Sequence, residues 1–150
     1  MKIAIGNDHA GFLLKVKLTA QLTNSGHNVH DLGSHNAESV DYPDYARLVA
    51  EEVRGGKADF GIVICGTGNG INIAANKFDG IRSALCWNEE IARLARQHNN
   101  ANVLALPARF INEEEAERIT NAFINEKFEG GRHQKRVEKI GKKMVKWLKD

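Results

Sequence analysis

The sequence has no apolar run approaching the ~18 residues that a membrane-crossing helix needs. It has only two cysteines in 150 residues, Cys65 and Cys86, and no C-x-x-C. That count argues against a disulfide scaffold and against a zinc knuckle, and two free thiols fit a reducing compartment. The opening Met-Lys-Ile-Ala-Ile-Gly carries one basic residue and an apolar stretch too short for a secretory signal, so a cytoplasmic protein is expected. Repeats, low-complexity stretches and linkers are all missing, which points to one domain over residues 1–150. Aromatic residues are few, and Trp87 and Trp147 stand apart, so they make no stacking platform for single-stranded nucleic acid.

Charge of one sign is scarce overall, at net +2, but it is unevenly spread. Residues 1–126 carry 12 Lys/Arg against 16 Asp/Glu, whereas residues 127–150 carry 9 against 3. The basic C-terminal part is expected to be a solvated helix with some charges free to meet an anion.

A βα rhythm runs from end to end. Strands are expected over Lys2–Asn7, Val29–Leu32, Phe60–Cys65, Ile81–Cys86 and Asn102–Leu106. Helices are expected over His9–Asn24, from Pro43 to about Arg54, and over Ile71–Lys77, Asn88–Gln97, Glu113–Asn125 and His133–Leu148. The first helix reads as apolar along Phe12, Leu13, Val16 and Ala20, and the last along Val137, Ile140, Met144 and Leu148. Alternation of this kind makes an α/β fold: a three-layer α/β/α, Rossmann-like sandwich around a five-stranded parallel sheet, with an added C-terminal helix. Its expected strand order is 2-1-3-4-5, with a ligand crevice where the order reverses between strands 1 and 3.

Two loops leave those strands at their C-terminal ends. One is Gly6-Asn7-Asp8-His9-Ala10-Gly11 and the other is Cys65-Gly66-Thr67-Gly68-Asn69-Gly70. Neither is a nucleotide fingerprint. Ile71 stands where G-x-G-x-x-G needs glycine, and Phe12 stands where a P-loop needs lysine. Alternating glycines before a helix instead expose backbone N–H groups that can wrap an anion. Cys65 ends its strand at that helix N-terminus, whose dipole and free N–H groups favour a thiolate able to act as nucleophile or base. Cys86 lies inside an apolar strand and reads as a small buried hydrophobe. His27, His30 and His35 fall within nine residues but lack cysteine or paired carboxylates, so no metal site is expected there. Arg109 follows the fifth strand, and Arg132 and Arg136 share one helical face at i,i+4, a spacing suited to phosphate oxygens.

With these residues in view, the chain resembles the ribose/galactose isomerase family, which holds the type B ribose-5-phosphate isomerases and the lactose-pathway galactose-6-phosphate isomerase subunits. The resemblance spans nearly the whole chain. It rests on Asn7-Asp8-His9-Ala10-Gly11-Phe12, Asp41-Tyr42-Pro43-Asp44-Tyr45, Ile64–Gly70, Ala74-Ala75-Asn76-Lys77, Arg96-Gln97-His98-Asn99 and Glu129–Val137. It implies an aldose–ketose isomerase of the pentose phosphate pathway that interconverts D-ribose 5-phosphate and D-ribulose 5-phosphate through an enediolate, without metal or cofactor. Some members of the family use a glutamate elsewhere as the base, and Cys65 groups this chain with the cysteine-using members.

Carried over from the family, Cys65 moves the proton between C2 and C1, and His98 opens the furanose ring with help from Asp8. The amides of Gly66, Thr67, Gly68, Asn69 and Gly70, with Asn99, stabilise the enediolate oxygen. His9, Arg109, Arg132 and Arg136 hold the phosphate. Chemistry agrees: an acidic proton beside a carbonyl needs a positioned base, the developing oxyanion needs preorganised donors, and a bound phosphate supplies remote binding energy. Asp8 and Cys65 follow strands, whereas His98 and Asn99 precede one. Each chain is therefore expected to lend His98 to a neighbour, in a homodimer or dimer of dimers with a shared site. The rival readings are an isomerase of allose or galactose 6-phosphate, and a non-catalytic module binding a phosphosugar, nucleotide or nucleic acid.

Overall fold

The computed structural model describes residues 1–141. Met144, Trp147 and Leu148 lie outside the described residues. Five parallel strands form one sheet: β1 (Lys2–Asn7), β2 (Asn28–Asp31), β3 (Phe60–Cys65), β4 (Ser83–Leu85) and β5 (Val103–Pro107). The helices are α1 (Phe12–Asn24), α2 (Tyr42–Arg54), α3 (Asn69–Ala75), α4 (Glu89–Asn99), α5 (Glu113–Asn125) and α6 (Arg132–Ile140). A single 3-10 turn, His9–Gly11, precedes α1, where the sequence pattern suggests one continuous helix. Residues such as His9 that the pattern assigns to α1 therefore belong to the loop above the sheet.

The strand order is β2-β1-β3-β5-β4, not the expected 2-1-3-4-5. Composition gives the reason. The β5 run Val-Leu-Ala-Leu-Pro is buried at every position, as a strand covered on both faces must be. By contrast β4 is three residues long and half-buried throughout, which suits an edge. The chain passes over one position through α3 and returns through α4. The reversal between β1 and β3 survives.

Strand alternation sorts the core into two layers. Ile3, Ile5, Ile62, Ile64, Leu104 and Leu106 face α1, α4 and α5, whose Leu18, Leu22, Ile119 and Phe123 fill the space. On the other face Ala4, Val63, Cys65, Val103 and Ala105 meet α2 and α3. Those residues are smaller because α2 approaches closely: a Cβ on Gly6 or Gly61 would stand 2.8 Å or 2.6 Å from Val49.

The face of α1 differs from the sequence expectation. The structure buries Leu14, Lys15, Leu18 and Leu22, while Leu13 and Val16 are exposed and Ala20 faces outward. The helix carries two apolar stripes, and the 14-18-22 stripe, running its full length, faces β1 and α5. Lys15 hides behind that assignment because its ammonium pairs with Asp31 at 2.6 Å and lies over the Phe12 ring, the pairing that burying a charge requires.

Candidate active site

The end of β3 is the centre of one group of predicted residues. The backbone N–H of Asp8 donates to the carbonyl of Ile64, joining the two strand-end loops. Asp8 is 6% exposed, and its Oδ1 accepts from the N–H groups of Ala10 and Gly11 at 2.9 and 3.1 Å. That ties the loop down and leaves the second carboxylate oxygen uncommitted among the described contacts. His9 Nδ1 accepts from the Val40 N–H at 3.4 Å, so in the neutral ring Nε2 carries the proton and can donate to an anion.

Cys65 is buried, at 4% exposure, on the α2/α3 face. Gly68 follows with φ +70°, and α3 begins at Asn69, two residues earlier than its apolar pattern indicates. The first-turn N–H groups of α3 have no intrahelical partner, although that of Asn69 reaches the exposed Thr67 hydroxyl at 3.3 Å. A Cβ on Gly66 would stand 3.2 Å from the Arg109 guanidinium, and one on Gly70 would stand 2.6 Å from the Tyr42 ring. Arg109 therefore lies across the start of the turn and Tyr42 over its end. Tyr42 was legible only as part of a family motif, since nothing in its spacing marks it as a cover for a glycine.

Gly68→Ala tests the turn directly. The new Cβ would meet Leu85 at 2.5 Å and backbone at 3.0 Å in a left-handed conformation. A loss of about 2–4 kcal/mol in urea unfolding is expected from the strain and overpacking together. A loss under about 0.5 kcal/mol, the ordinary surface value, would mean that the turn relaxes freely.

Arg109 reaches this site because β5 lies beside β3. Cys65 pairs with Pro107, and the Ala108 and Arg109 N–H groups donate to the carbonyls of Cys65 and Gly66, each at 3.0 Å. Cys86 sits elsewhere in the core, where burial pushes its thiol up to about 12. It stays protonated, as its position in an apolar run suggested.

A second group gathers at the opposite edge of the sheet. His98 and Asn99 end α4, and the left-handed Asn100 (φ +46°) closes it. Two arginines hold that end. The Arg82 Nε donates to the Asn100 carbonyl at 2.8 Å, and Arg96 donates to the Asn100 side chain and to the Ala101 carbonyl. Arg96 also lies 4.7 Å over the Phe60 ring. The Glu129 N–H donates to the Gln97 carbonyl, which brings the start of α6 against α4. There the His98 and His133 rings stack with centroids 4.2 Å apart and planes 7° from parallel. Arg132 and Arg136 project from the same start of α6, both exposed. His133 is buried, and desolvation, with the charges of His98 and Arg132, holds its pKa below the ordinary imidazole range. In the sequence His133 stands out only as part of the family motif Glu129–Val137. Its signal is a histidine one turn before an apolar position at a helix start, too weak to read alone.

Among the described residues, no cavity is lined by both Cys65 and His98. A cavity of about 430 Å³ along the β4 edge is lined by Arg82, Ser83, Leu85, His98 and Asn99, and Cys65 is not among its walls. Along β5, the four steps from Val103, which follows the end of α4, to Pro107, paired with Cys65, span roughly 13 Å.

A thiol, a carboxylate and the His9 imidazole beside an amide-lined turn, a second pair of imidazoles at the other group and arginines at both equip this parallel α/β fold for acid–base work on an anion. The chain belongs to the Ribose/Galactose Isomerase family, whose sequence profile matches residues 3–140. Ribose-5-phosphate isomerase B of Escherichia coli K12 is 52% identical over 139 residues, covering 93% of each chain. The Clostridium thermocellum ribose-5-phosphate isomerase B structure matches with TM-score 0.94 at 49% identity over the full length of both chains. That of Mycoplasma genitalium, solved with bound ribulose-5-phosphate, matches with TM-score 0.90 at 44% identity, covering 99% of this chain and 97% of that one. No helix among the described residues is long and apolar enough to cross a membrane.

Proposed function

We propose that this chain interconverts D-ribose 5-phosphate and D-ribulose 5-phosphate in a site shared between two copies of itself, in the cytoplasm. The observation that carries the reading is the separation of the two groups: each is half of a site, and their chemistries complement each other. His98 of one copy moves the proton between the C1 hydroxyl and the ring oxygen O4, so that the C1–O4 bond breaks and the aldehyde forms. Asp8 of the other assists through its free carboxylate oxygen. The Cys65 thiolate then takes the C2 proton and returns it to C1. The charge that develops on the enediolate oxygen meets the amides of Gly66–Gly70 and the Asn99 side chain, which are in position before the reaction starts. His9 and Arg109 approach the phosphate from the Cys65 side, and Arg132 and Arg136 from the His98 side. A relative with bound ribulose-5-phosphate supports the pentose substrate, and the exposed Leu13 and Val16 stripe on α1 is apolar surface available to a partner copy. Buried free thiols suit a reducing cytoplasm.

The test is complementation. Cys65→Ala and His98→Ala proteins, each expected to lose ~10²-fold or more on ribose 5-phosphate, are mixed under subunit exchange and assayed on that substrate. In a two-fold dimer each mixed pair regains one intact site of two, so random exchange should restore about a quarter of wild-type turnover. Complete absence of recovery, with exchange demonstrated by mass, would overturn the shared site.

A further inference from the structure

Beside His98, the start of α6 carries two residues, Glu129 and His133, to which the isomerisation assigns no role. The donor atoms of His98, Glu129 and His133 all lie within 4.8 Å of one another. His133 Nε2 stands 3.6 Å from Glu129 Oε2. Two imidazole nitrogens and one carboxylate oxygen form a set that a borderline divalent cation takes readily, with a fourth position left for water. Ligand atoms at ~2.0–2.2 Å from a tetrahedral ion stand about 3.3–3.5 Å apart, so the His–Glu pair already has nearly the required separation. His98, half-buried at the end of its helix, closes the remainder by turning its ring out of the stack. The backbone positions are held by the Glu129 N–H to Gln97 and the His133 N–H to Gly130 at 2.9 Å.

From this geometry we infer that His98, Glu129 and His133 form an inhibitory site for a divalent transition cation, with Zn²⁺ as its probe. The Nε2 of His133 faces Glu129 and acts as an acceptor, so it carries the lone pair that a cation would take. That nitrogen now accepts from the Arg132 Nε at 3.4 Å. An incoming cation displaces the guanidinium, and Glu129 offsets the added charge. Binding thus withdraws His98 from ring opening and moves Arg132 off the phosphate. The inhibitory consequence rests on the proposed role of His98, whereas the binding itself does not.

The full-length enzyme is titrated with ZnCl₂ by calorimetry in phosphate-free buffer, with Co²⁺ absorption as the readout of coordination. One ion per chain is expected, with turnover on ribose 5-phosphate lost and restored by a chelator. Glu129→Gln should weaken Zn²⁺ by at least ~10-fold, the loss typical of removing even an outer partner of a metal site, and should keep the metal-free turnover. His133→Gln should weaken binding more, and Cys65→Ala should bind Zn²⁺ as wild type does. Equal affinity in wild type, Glu129→Gln and His133→Gln would assign the metal to another place, and loss of binding in Cys65→Ala would assign it to the thiol; either result overturns the site. Zn²⁺ bound through these three residues with turnover unchanged would overturn the inhibition and the ring-opening role of His98 together. A metal-free wild type inactive on ribose 5-phosphate would count against the isomerase reading alone.

Discussion

Replacing Cys65 by alanine should lower turnover on ribose 5-phosphate at least ~10²-fold, the least that a positioned base contributes. Binding should survive, because the groups that hold the phosphate lie outside the thiol. Stability should change little, since the substitution removes one sulfur from a buried position lined by small side chains. The decisive measurement is exchange of the C2 proton of ribose 5-phosphate in heavy water. Wild type should exchange it and Cys65→Ala should not. Exchange at the wild-type rate in the variant would remove Cys65 from the proton transfer altogether. Cys86→Ala is the control: its thiol is held protonated by burial, so turnover should stay at the wild-type level.

His98→Ala should give an effect that depends on direction. Ribose 5-phosphate is mostly a closed furanose and must be opened. Ribulose 5-phosphate has its C5 oxygen blocked by phosphate, so it cannot close a five-membered ring and enters open. The variant should therefore lose ~10²-fold or more of its turnover with ribose 5-phosphate, the range for general acid–base catalysis. With ribulose 5-phosphate it should stay within ~10-fold of wild type, because the open aldose it releases closes in solution. Equal losses in both directions would move His98 from ring opening to the enolisation step. This measurement also separates His98 from Arg132 and Arg136, whose loss should raise KM in both directions, since the phosphate they are proposed to hold is common to both sugars.

Much of the fold was legible because its signals are local. The β3 run Phe60–Cys65 and the α5 run Glu113–Asn125 have the expected bounds, each carrying its own periodicity and its own stop. The sequence leaves the choice open where two solutions satisfy the same local pattern. The two apolar stripes of α1 are equivalent on a helical wheel, and only the contour of the sheet and α5 selects 14-18-22. Lys15 could not be read as buried, because its partner Asp31 lies on another strand.

By itself the sequence determined the parallel α/β class, since alternating strands and helices of these lengths admit little else. It also marked the groups of the candidate site, because a cysteine at a strand end before alternating glycines is a local arrangement. The tertiary structure alone decided how those groups are shared out. Placing β5 rather than β4 beside β3 is a choice among crossovers that local pattern does not encode. That choice brings Arg109 onto the turn after Cys65, and the α4–α6 contact gathers His98, His133 and Arg132 at the other edge. Residues that read as one list along the chain thereby fall into two groups at different ends of the sheet.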